Sequence, residues 1–453
     1  MKTATVVGAG LVGSLWAVYL SKAGYKVKIF ERRDDIRKAE ISAGKSINLA
    51  LSTRGWKALD TVDVGDEIRK IAIPMTGRIM HDMEGNLTYQ PYGKEGQAIY
   101  SVSRGGVNAK MMDIAEEHGG AEIFYNQKCI GADLDKGVVY LENTKTGEKS
   151  EYQSDVVFAT DGAFSAVRYN AFQKLDRFNF SQNYIADGYR EILLPANEDG
   201  SYKLDKNALH IWPRGRFMLI ALANEDGSFT CTLFMPYEGE NSFETLTSKE
   251  AVDSFFKTTF PDFYNMMPNI ADAWEDHPLS SLAIVRCFPW THGKTALMGD
   301  AAHATVPFYG QGMNCGFEDC SVMWELMQKH LPDGQAGNED WPKVFEEYQQ
   351  LRKPDGDGVQ DLSLHNYYVM RDYVGDPQFL LQKKIEAHFS AKHPEKWLPL
   401  YSQVTFSHIR YSEAWQKGQK QDAIMKEVMA QFDNIADVWD SKEVEQAILA
   451  ELN

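Results

Sequence analysis

The chain has 453 residues, 43% of them hydrophobic, and a formal net charge of −17 from 64 acidic and 47 basic side chains. This length and this apolar content predict a globular protein with two or three structural units. The negative charge repels nucleic acid and anionic membrane surfaces, so neither is an expected partner. A small-molecule substrate is the better expectation.

Cysteine use and hydropathy favour a cytoplasmic protein. The five cysteines form no CxxC pair and no even disulfide framework, which suits a reducing compartment, and no metal site is predicted. No uninterrupted apolar run reaches the ~18 residues that span a bilayer, so no membrane segment is expected. The apolar stretch from Lys2 to Leu20 resembles a secretory signal, but its glycine pattern favours another interpretation.

The first 31 residues have the pattern of a strand, a glycine-rich turn, a helix and a second strand. Gly8 permits the tight turn, Gly10 lets the backbone approach a pyrophosphate, and Gly13 lets the helix pack closely on the strand. The N-terminus of that helix would stabilise the pyrophosphate. Glu31, 21 residues after Gly10, would accept hydrogen bonds from an adenosine ribose. The correct spacing of all these parts disfavours an unrelated glycine-rich turn.

This fingerprint is common to FAD and NAD sites, and two later segments favour FAD. Residues 155–168 read as a strand, a turn with Asp161-Gly162 and a helix start, and residues 296–303 carry Gly299-Asp300 after another strand. They resemble the DG and GD motifs of the single-component flavin hydroxylases, whose fold is typified by p-hydroxybenzoate hydroxylase. Ala159-Thr160 stands where that family usually has Gly-Ala. Taken alone, either aspartate could cap a turn.

The resemblance implies how FAD is bound. It implies that Asp300 bonds the ribityl chain, that Asp161 lies near the flavin and a bound nicotinamide, and that Arg104 contacts the cofactor. A glycine-rich segment before the next helix would present N–H groups to the negative charge of reduced flavin; its predicted cofactor residues are Gly310, Gly312, Met313 and Asn314. No second dinucleotide fingerprint appears, so the electron donor, NADPH, would bind transiently.

Six segments resemble the kynurenine 3-monooxygenase family in particular: residues 45–52, 77–81, 90–93, 209–214, 307–314 and 401–407. This resemblance extends from about residue 4 to about residue 410. It implies hydroxylation of L-kynurenine to 3-hydroxy-L-kynurenine with NADPH and O2, through a flavin C4a-hydroperoxide, in tryptophan degradation by the kynurenine pathway. The cofactor carries this chemistry, so no catalytic side chain is assigned.

Kynurenine is a zwitterionic amino acid with an aniline ring, so its pocket needs a carboxylate clamp, polar groups for the amine and apolar walls. By the resemblance, Arg78 and Tyr92 hold the carboxylate, and Asn366 and Tyr401 complete the polar end. The planar fork of arginine can form two charge-assisted hydrogen bonds, each worth ~1.5–3 kcal/mol where water is excluded. Taken alone, Arg78 is better explained as a surface ion pair.

The apolar walls are predicted partly from strand periodicity. Residues 229–235 alternate so that Phe234 can face a pocket while Phe229, Cys231, Leu233 and Met235 fill a core. The resemblance adds Phe308, Tyr309 and Met370 to the walls. Each of these side chains could instead be an ordinary core residue.

The expected fold class is α/β, with a discontinuous Rossmann-like FAD-binding domain, an antiparallel-sheet substrate domain and a helical C-terminal region. The predicted limits are 1–70, 99–180 and 285–355 for the first, 71–98 and 181–284 for the second, and 356–453 for the third. The C-terminal region is expected to cover the substrate entrance or to form a homodimer contact. Asp440 with Glu443 is expected to cap a final short helix.

Two alternative functions stay open at this point. The first is hydroxylation of another aromatic acid by an enzyme of the same fold. The second is a flavin-binding redox sensor that performs no oxygenation.

Overall fold

The computed structural model describes residues 2–38, 48–331, 340–370 and 376–452. The strands are β1 (Thr3–Val7), β2 (Lys26–Phe30), β3 (Asn48–Leu51), β4 (Ile73–Met75), β5 (Gly77–His81), β6 (Leu87–Pro91), β7 (Ile99–Ser103), β8 (Glu122–Phe124), β9 (Gln127–Asp133), β10 (Val138–Asn143), β11 (Lys149–Gln153), β12 (Val156–Ala159), β13 (Asn179–Leu194), β14 (Ala208–Arg214), β15 (Phe217–Ala223), β16 (Phe229–Pro236), β17 (Ser280–Phe288), β18 (Thr291–His292) and β19 (Thr295–Leu297).

The α-helices are α1 (Leu11–Lys22), α2 (Thr53–Thr61), α3 (Gly65–Arg69), α4 (Arg104–Glu117), α5 (Ala166–Asn170), α6 (Lys249–Thr259), α7 (Pro261–Met266), α8 (Ile270–Ala273), α9 (Asp300–His303), α10 (Gly312–His330), α11 (Trp341–Tyr368), α12 (Pro377–Lys392), α13 (Leu400–Thr405), α14 (Tyr411–Ala430), α15 (Ile435–Val438) and α16 (Lys442–Glu451). Short 3-10 helices cover Ile36–Lys38, Phe172–Lys174, Phe243–Thr245, Trp274–Asp276 and Pro307–Tyr309.

A six-stranded sheet with the order β18-β19-β12-β1-β2-β8 supports the N-terminal turn. β1 pairs in parallel with both β2 and β12, and β12 pairs in parallel with β19. All four residues of β12 are buried, as expected of a parallel strand covered on both faces. The carboxyl ends of β1, β12 and β19 meet at one edge, which brings together the turns after Val7, Ala159 and Leu297.

A seven-stranded sheet with the order β17-β13-β16-β15-β14-β5-β6 forms the second half. Its neighbours are antiparallel except β5 and β14, which run in parallel. Alternate side chains of β16, namely Phe229, Cys231, Leu233 and Met235, enter a core with residues of α6, α7 and α8, whereas Phe234 packs in a separate cluster. The predicted alternation of this strand is therefore confirmed.

Two three-stranded sheets, β3-β7-β4 and β11-β10-β9, complete the β-structure of the described residues. The first of them joins the two halves of the molecule. Asn48 of β3 donates through Nδ2 to Asn224 Oδ1 at 2.8 Å and to Ala223 O at 3.2 Å, and Ser101 of β7 donates to Ala223 O at 2.9 Å. Because these groups are buried, their hydrogen bonds fix the β15–β16 turn against the N-terminal half.

The C-terminal helices have a core of their own and also pack on the rest of the chain. Phe389, Trp397 and Met425 are buried in that core, and α14 packs along α11. The expected cap of α16 was wrong: Ser441, not Asp440, accepts a hydrogen bond from the Val444 N–H at 3.3 Å. A lipid bilayer could not be crossed by any helix of the described residues, since none combines sufficient length with apolar character.

The observed sheets confirm the α/β fold class with a largely antiparallel second sheet and a helical C-terminal region. All five cysteines are buried and free, as their spacing predicts. Their thiols are therefore ordinary core groups of the reduced chain.

Candidate active site

A cleft of about 2450 Å³ is bounded by both large sheets and by the C-terminal helices. This volume is more than twice the roughly 1,000 Å³ of a large small-molecule pocket. It has room for a dinucleotide and a small substrate together. All of the predicted site residues line this cleft except Gly13 and Asn314.

The turn after β1 has the steric properties that its glycines predict. Gly8 has a φ of +99°, and a Cβ there would lie 2.9 Å from the Thr160 carbonyl oxygen. A Cβ on Gly13 would lie 2.1 Å from the Gly8 carbonyl oxygen, closer than any real contact. At Gly10, by contrast, no atom lies within 4 Å of a Cβ position, and this residue lines the cleft. Gly13 thus serves packing, and Gly10 leaves space for a ligand.

Thr160 explains why the departure from the usual Gly-Ala pair is tolerated. Its hydroxyl lies close to the oxygens of two consecutive carbonyls, Val7 O at 2.9 Å and Gly8 O at 3.0 Å. It lies 2.5 Å from where a Gly13 Cβ would stand. The threonine therefore ties the turn after β12 to the turn after β1, a contact that sequence reasoning missed.

Glu31 lies at the end of β2 with its carboxylate buried at the edge of the cleft. One oxygen accepts from the Ala9 N–H at 3.0 Å, and the other accepts from the Arg33 N–H at 2.9 Å and Nε at 2.8 Å. Burial acts to raise the pKa of Glu31, but the hydrogen bonds and charge of Arg33 outweigh it and hold that pKa below its usual value. The carboxylate stays ionised and can accept hydrogen bonds from a ribose.

Asp161 caps α5, because its Oδ2 accepts from the Ala166 N–H at 2.7 Å and the Val167 N–H at 3.3 Å. Its Oδ1 is buried and has no hydrogen-bond partner among the described residues. Burial raises the pKa of Asp161. The turn-capping alternative therefore holds for one oxygen, and the other is left for a ligand in the cleft.

Arg168 connects the two aspartate-bearing turns. Its guanidinium is buried and donates to Ala163 O at 2.5 Å and to Ala301 O at 2.7 Å. The first carbonyl follows Asp161 and the second follows Asp300. One side chain thus fixes the spacing of both turns.

Asp300 is the first residue of α9 and is exposed to the cleft. Its carboxylate makes no hydrogen bond or ion pair with another residue in the described ranges. The turn before it is held by Asp319, which accepts from the Gly299 N–H at 2.8 Å, from His303 Nε2 at 2.6 Å and from Arg352 Nε at 2.8 Å. Burial acts to raise the pKa of Asp319, but the charges of His303 and Arg352 lower it to about 2.

Asn314 does not line the cleft. Its side chain instead holds backbone segments around the cleft. Its Oδ1 accepts from the Ser52 N–H at 2.9 Å, and its Nδ2 donates to Ala50 O at 2.8 Å and Gly310 O at 3.1 Å. Gly310 adopts a left-handed conformation with a φ of +67°. Gly312 and Met313, which begin α10, do line the cleft. Any contribution of Asn314 to a cofactor site therefore passes through the loops that it joins.

One face of α4 presents two polar side chains to the cleft. Arg104 is exposed there, and Asn108 follows four residues later, one helical turn along. Asn108 is 6% exposed, its Oδ1 has no partner among the described residues, and its Nδ2 contacts only Met112 Sδ, at 3.8 Å. Sequence reasoning missed Asn108, although its spacing from Arg104 was a usable signal.

These groups fit the FAD that the sequence predicts. The turn after β1 gives a cradle that a Cβ would fill, and Asp161 Oδ1 and Asp300 are acceptors with no protein partner in the described part of the chain. The N-termini of α1 and α10 add N–H donors and positive dipole ends. This combination suits a ligand with a pyrophosphate and hydroxyl groups.

At the other end of the cleft, Arg78 extends from β5 between two aromatic rings. Its guanidinium carbon lies 5.1 Å from the centroid of the Tyr92 ring and 5.2 Å from that of the Tyr401 ring. Arg78 is half-buried, and no acidic side chain pairs with it within the residues described. The alternative of a surface ion pair therefore finds no acidic partner in the described part of the chain.

The two tyrosines around Arg78 are neutral donors. Their rings stack with centroids 5.4 Å apart, and Tyr309 stacks on Tyr401 at 5.9 Å. Burial raises the pKa of Tyr92 and of Tyr401, and the charge of Arg78 opposes this only in part. The buried Tyr92 hydroxyl has no hydrogen-bond partner among the described residues. An anion beside Arg78 would meet one cation and one unpaired O–H.

Asn366 and the apolar residues complete this end of the cleft. Asn366 donates through Nδ2 to Phe308 O at 2.6 Å, and its Oδ1 accepts no hydrogen bond in the described ranges. Phe234 and Phe308 pack with ring centroids 5.1 Å apart, in a cluster that includes Met370. A ring could lie against this wall while its polar substituents reach Arg78 and Asn366.

Comparison with known proteins assigns the chain. The family described as FAD binding domain matches residues 1–362. A kynurenine 3-monooxygenase of Flavobacterium johnsoniae is 52% identical over 98% of this chain and 97% of its own. Proteins of the same name from Myxococcus xanthus and Dictyostelium discoideum are 44% and 39% identical, over 96% and 94% of this chain and 92% and 93% of their own. The chain belongs to the kynurenine 3-monooxygenase family.

Membership of the kynurenine 3-monooxygenase family makes the protein an FAD-dependent monooxygenase, as the sequence predicts. A solved 2-methyl-3-hydroxypyridine-5-carboxylic acid oxygenase has a TM-score of 0.66 at 18% identity, covering 84% of this chain and 95% of its own. Tetracycline destructase Tet(55) has a TM-score of 0.61 at 15% identity, covering 88% and 98%. These two structures show the fold alone. The roles of individual site residues stay predictions.

Proposed function

We propose that the protein hydroxylates L-kynurenine to 3-hydroxy-L-kynurenine with NADPH and O2, using FAD bound in the cleft. The observation that supports this most directly is the Arg78 guanidinium, which lies between two aromatic rings without an acidic partner in the described residues. A cation withdrawn from water is costly unless an anion compensates it. The carboxylate of an amino acid would supply that anion.

The other polar groups match the rest of such a substrate. The unpaired Tyr92 hydroxyl would donate a second hydrogen bond to the carboxylate, and Tyr401 would flank it. Asn366 Oδ1, which has no donor in the described chain, would accept from the α-ammonium group. The aniline ring would lie against Phe234, Phe308 and Met370, with Tyr309 closing the side near Tyr401.

The residues that would hold FAD are the glycine turn after β1, Glu31, Arg104, Asp161, Asp300 and the segment from Gly310 to Met313, with Asn314 fixing the loops behind that segment. The chemistry that this cofactor supplies is the activation of O2 with two electrons from NADPH. One oxygen atom enters the ring carbon beside the amine and the other leaves as water. The amine already donates electrons into the ring, so the proposal needs no protein base. The side chains orient the ring and exclude water.

The test uses the purified, FAD-loaded protein with NADPH and labelled O2. Three compounds are compared as substrates: L-kynurenine, 4-hydroxybenzoate and the decarboxylated analogue of kynurenine. We expect L-kynurenine alone to stimulate NADPH oxidation strongly, with one labelled oxygen in 3-hydroxykynurenine for each NADPH consumed. Preference for 4-hydroxybenzoate would favour the first alternative, a hydroxylase of the same fold that acts on another aromatic acid. Bound flavin without product from any of the three would contradict the proposal.

A further inference from the structure

Arg54, which the proposed chemistry does not use, is the second residue of α2 and is 1% exposed. We propose that it is a positioning residue for the carboxylate clamp, because it holds α13, which carries Tyr401, against the helix α10. This inference rests on the proposed function, since it concerns how the clamp is kept in place. Arg54 itself does not line the cleft.

The first contact is with the C-terminal end of α13. Arg54 Nε donates to Val404 O at 3.2 Å, and Nη2 donates to Ile409 O just beyond the helix. Val404 is the second-last residue of α13, so its carbonyl has no acceptor role left inside that short helix. A cation at this end also matches the negative pole of the helix. The position of Tyr401, three residues earlier, is therefore set in part by Arg54.

The second contact is with the cofactor side of the cleft. The Arg54 guanidinium carbon lies 4.1 Å from the centroid of the Tyr411 ring, and the Tyr411 hydroxyl donates to Gln311 Oε1 at 2.9 Å. Gln311 lines the cleft and directly precedes Gly312, the start of α10. One buried arginine thus supports Tyr401 on one side and the start of α10 on the other.

The charge of Arg54 is balanced by a shared carboxylate. Arg54 Nη1 donates to Glu318 Oε1 at 2.6 Å, and Arg352 Nη1 donates to Glu318 Oε2 at 2.6 Å. Arg352 also holds Asp319, which accepts from the Gly299 N–H beside Asp300. The clamp is therefore connected through buried ion pairs to the turn that bears Asp300. Removing one member of such a network is strongly destabilising, so the test needs a mild substitution.

Arg54→Lys is that substitution, because it keeps the charge but cannot reach Glu318, Val404 O and Ile409 O together. The FAD-loaded variant is titrated with L-kynurenine and with its decarboxylated analogue, and flavin absorbance reports binding. We expect the dissociation constant for L-kynurenine to rise about tenfold and that for the analogue to change by less than about twofold. The KM for L-kynurenine should rise with little change in kcat. A purely structural role would weaken both ligands equally, and that result would overturn the inference.

Lys57→Met is the matched control. Lys57 lies one turn further along α2, is exposed, and pairs with Glu325 at 2.8 Å. Both dissociation constants should equal those of the unaltered protein.

A double variant gives a second readout. If Arg54 acts through Tyr401, adding Arg54→Lys to Tyr401→Ala should weaken L-kynurenine binding little more than Tyr401→Ala alone. Full additivity would count against the inference.

Two further outcomes are decisive. Should Arg54→Lys fail to fold, Glu318→Asp keeps the charge but draws the carboxylate back from Arg54, and the same selective loss for L-kynurenine is expected. An equal loss for both ligands in that variant would overturn the positioning role.

The unaltered protein tests the proposed function by itself. If it binds the decarboxylated analogue as tightly as L-kynurenine, the carboxylate clamp and the role of Arg54 both fail.

Discussion

The two ends of the cleft are built in different ways. At the nucleotide end, the decisive features are backbone features of one short stretch, from Gly8 to Gly13, with Glu31 following β2. At the substrate end, the polar side chains come from β5, the residue after β6, α11 and α13, and more than 300 residues separate Arg78 from Tyr401 in sequence. The first end is encoded locally, whereas the second exists only after the chain has folded.

The nucleotide end can therefore be recognised from sequence spacing, whereas the substrate end requires the tertiary structure. A glycine pattern has a steric meaning that spacing alone reveals, and the contacts of Gly8 and Gly13 agree with it. A lone arginine such as Arg78 has no such meaning until its neighbours are known. Only the tertiary structure shows that Arg78 has no acidic partner among the described residues.

Gly13→Val should have the largest effect, because a Cβ at this position lies 2.1 Å from a backbone oxygen that cannot move away cheaply. We expect loss of bound FAD and a lower thermal unfolding temperature, measured by flavin absorbance per protein and by calorimetry. Gly10→Ala is the control, since its Cβ meets nothing within 4 Å. This control should leave the FAD-free protein as stable as before and weaken only FAD binding. Equal destabilisation of the FAD-free protein by both variants would contradict the different roles assigned to Gly13 and Gly10.

Arg78→Met should affect the opposite end alone. Methionine keeps apolar contact with the rings of Tyr92 and Tyr401 but removes two charge-assisted hydrogen bonds, so affinity for L-kynurenine should fall roughly 100-fold. Affinity for FAD should be unchanged. Lys206→Met removes the same charge from an exposed position just before β14 and should change neither affinity. An unaltered KM for L-kynurenine in Arg78→Met would mean that the clamp is misassigned.

Asp300→Ala should have an intermediate effect confined to the nucleotide end. This carboxylate has no partner in the described residues, so its removal should not lower the stability of the FAD-free protein. If Asp300 bonds the ribityl chain as predicted, its removal should weaken FAD binding about tenfold, measured by equilibrium titration of the apoprotein. A fall in the stability of the apoprotein would instead assign Asp300 to the framework.

The pH dependence of the substrate end should be the smallest effect. Burial raises the pKa of Tyr92 and of Tyr401, so each phenol is more than half protonated at pH 10.0, where the unperturbed group is half ionised. Binding of the deaminated analogue of kynurenine, which has no α-amino group to titrate in this range, should therefore change less than about twofold between pH 7 and 10. A tenfold loss by pH 10 would show that a clamp phenol ionises normally.

The sequence predicted the N-terminal unit closely, because β1, α1 and β2 are short-range structures with clear periodicity and glycine signals. It could not reveal Thr160, whose hydroxyl lies near carbonyl oxygens more than 150 residues away, or Asp319, whose role depends on three segments meeting. The sequence also could not distinguish two neighbouring candidates for the cap of α16. Ser441 and Asp440 are both suitable capping residues, and the local backbone decides between them.

The substrate residues were predicted only through resemblance to a family, since their convergence has no local signal. The structure places them around one cleft, and their individual roles stay predictions until the variants are measured. The residue limits predicted for the three parts of the chain also stay predictions. Lengths and types of elements follow from local propensity, whereas the pairing of distant segments follows from packing.

Tyr401 and Tyr411 lie beyond residue 362, where the match to the broad FAD-binding family ends. The proposed clamp is therefore divided, because Arg78 and Tyr92 lie within the matched residues and Tyr401 lies beyond them. Since Arg54 and Gln311, both within the matched residues, contact Val404 and Tyr411, an exchange of residues 396–412 between related hydroxylases should change substrate preference only when these contacts are kept.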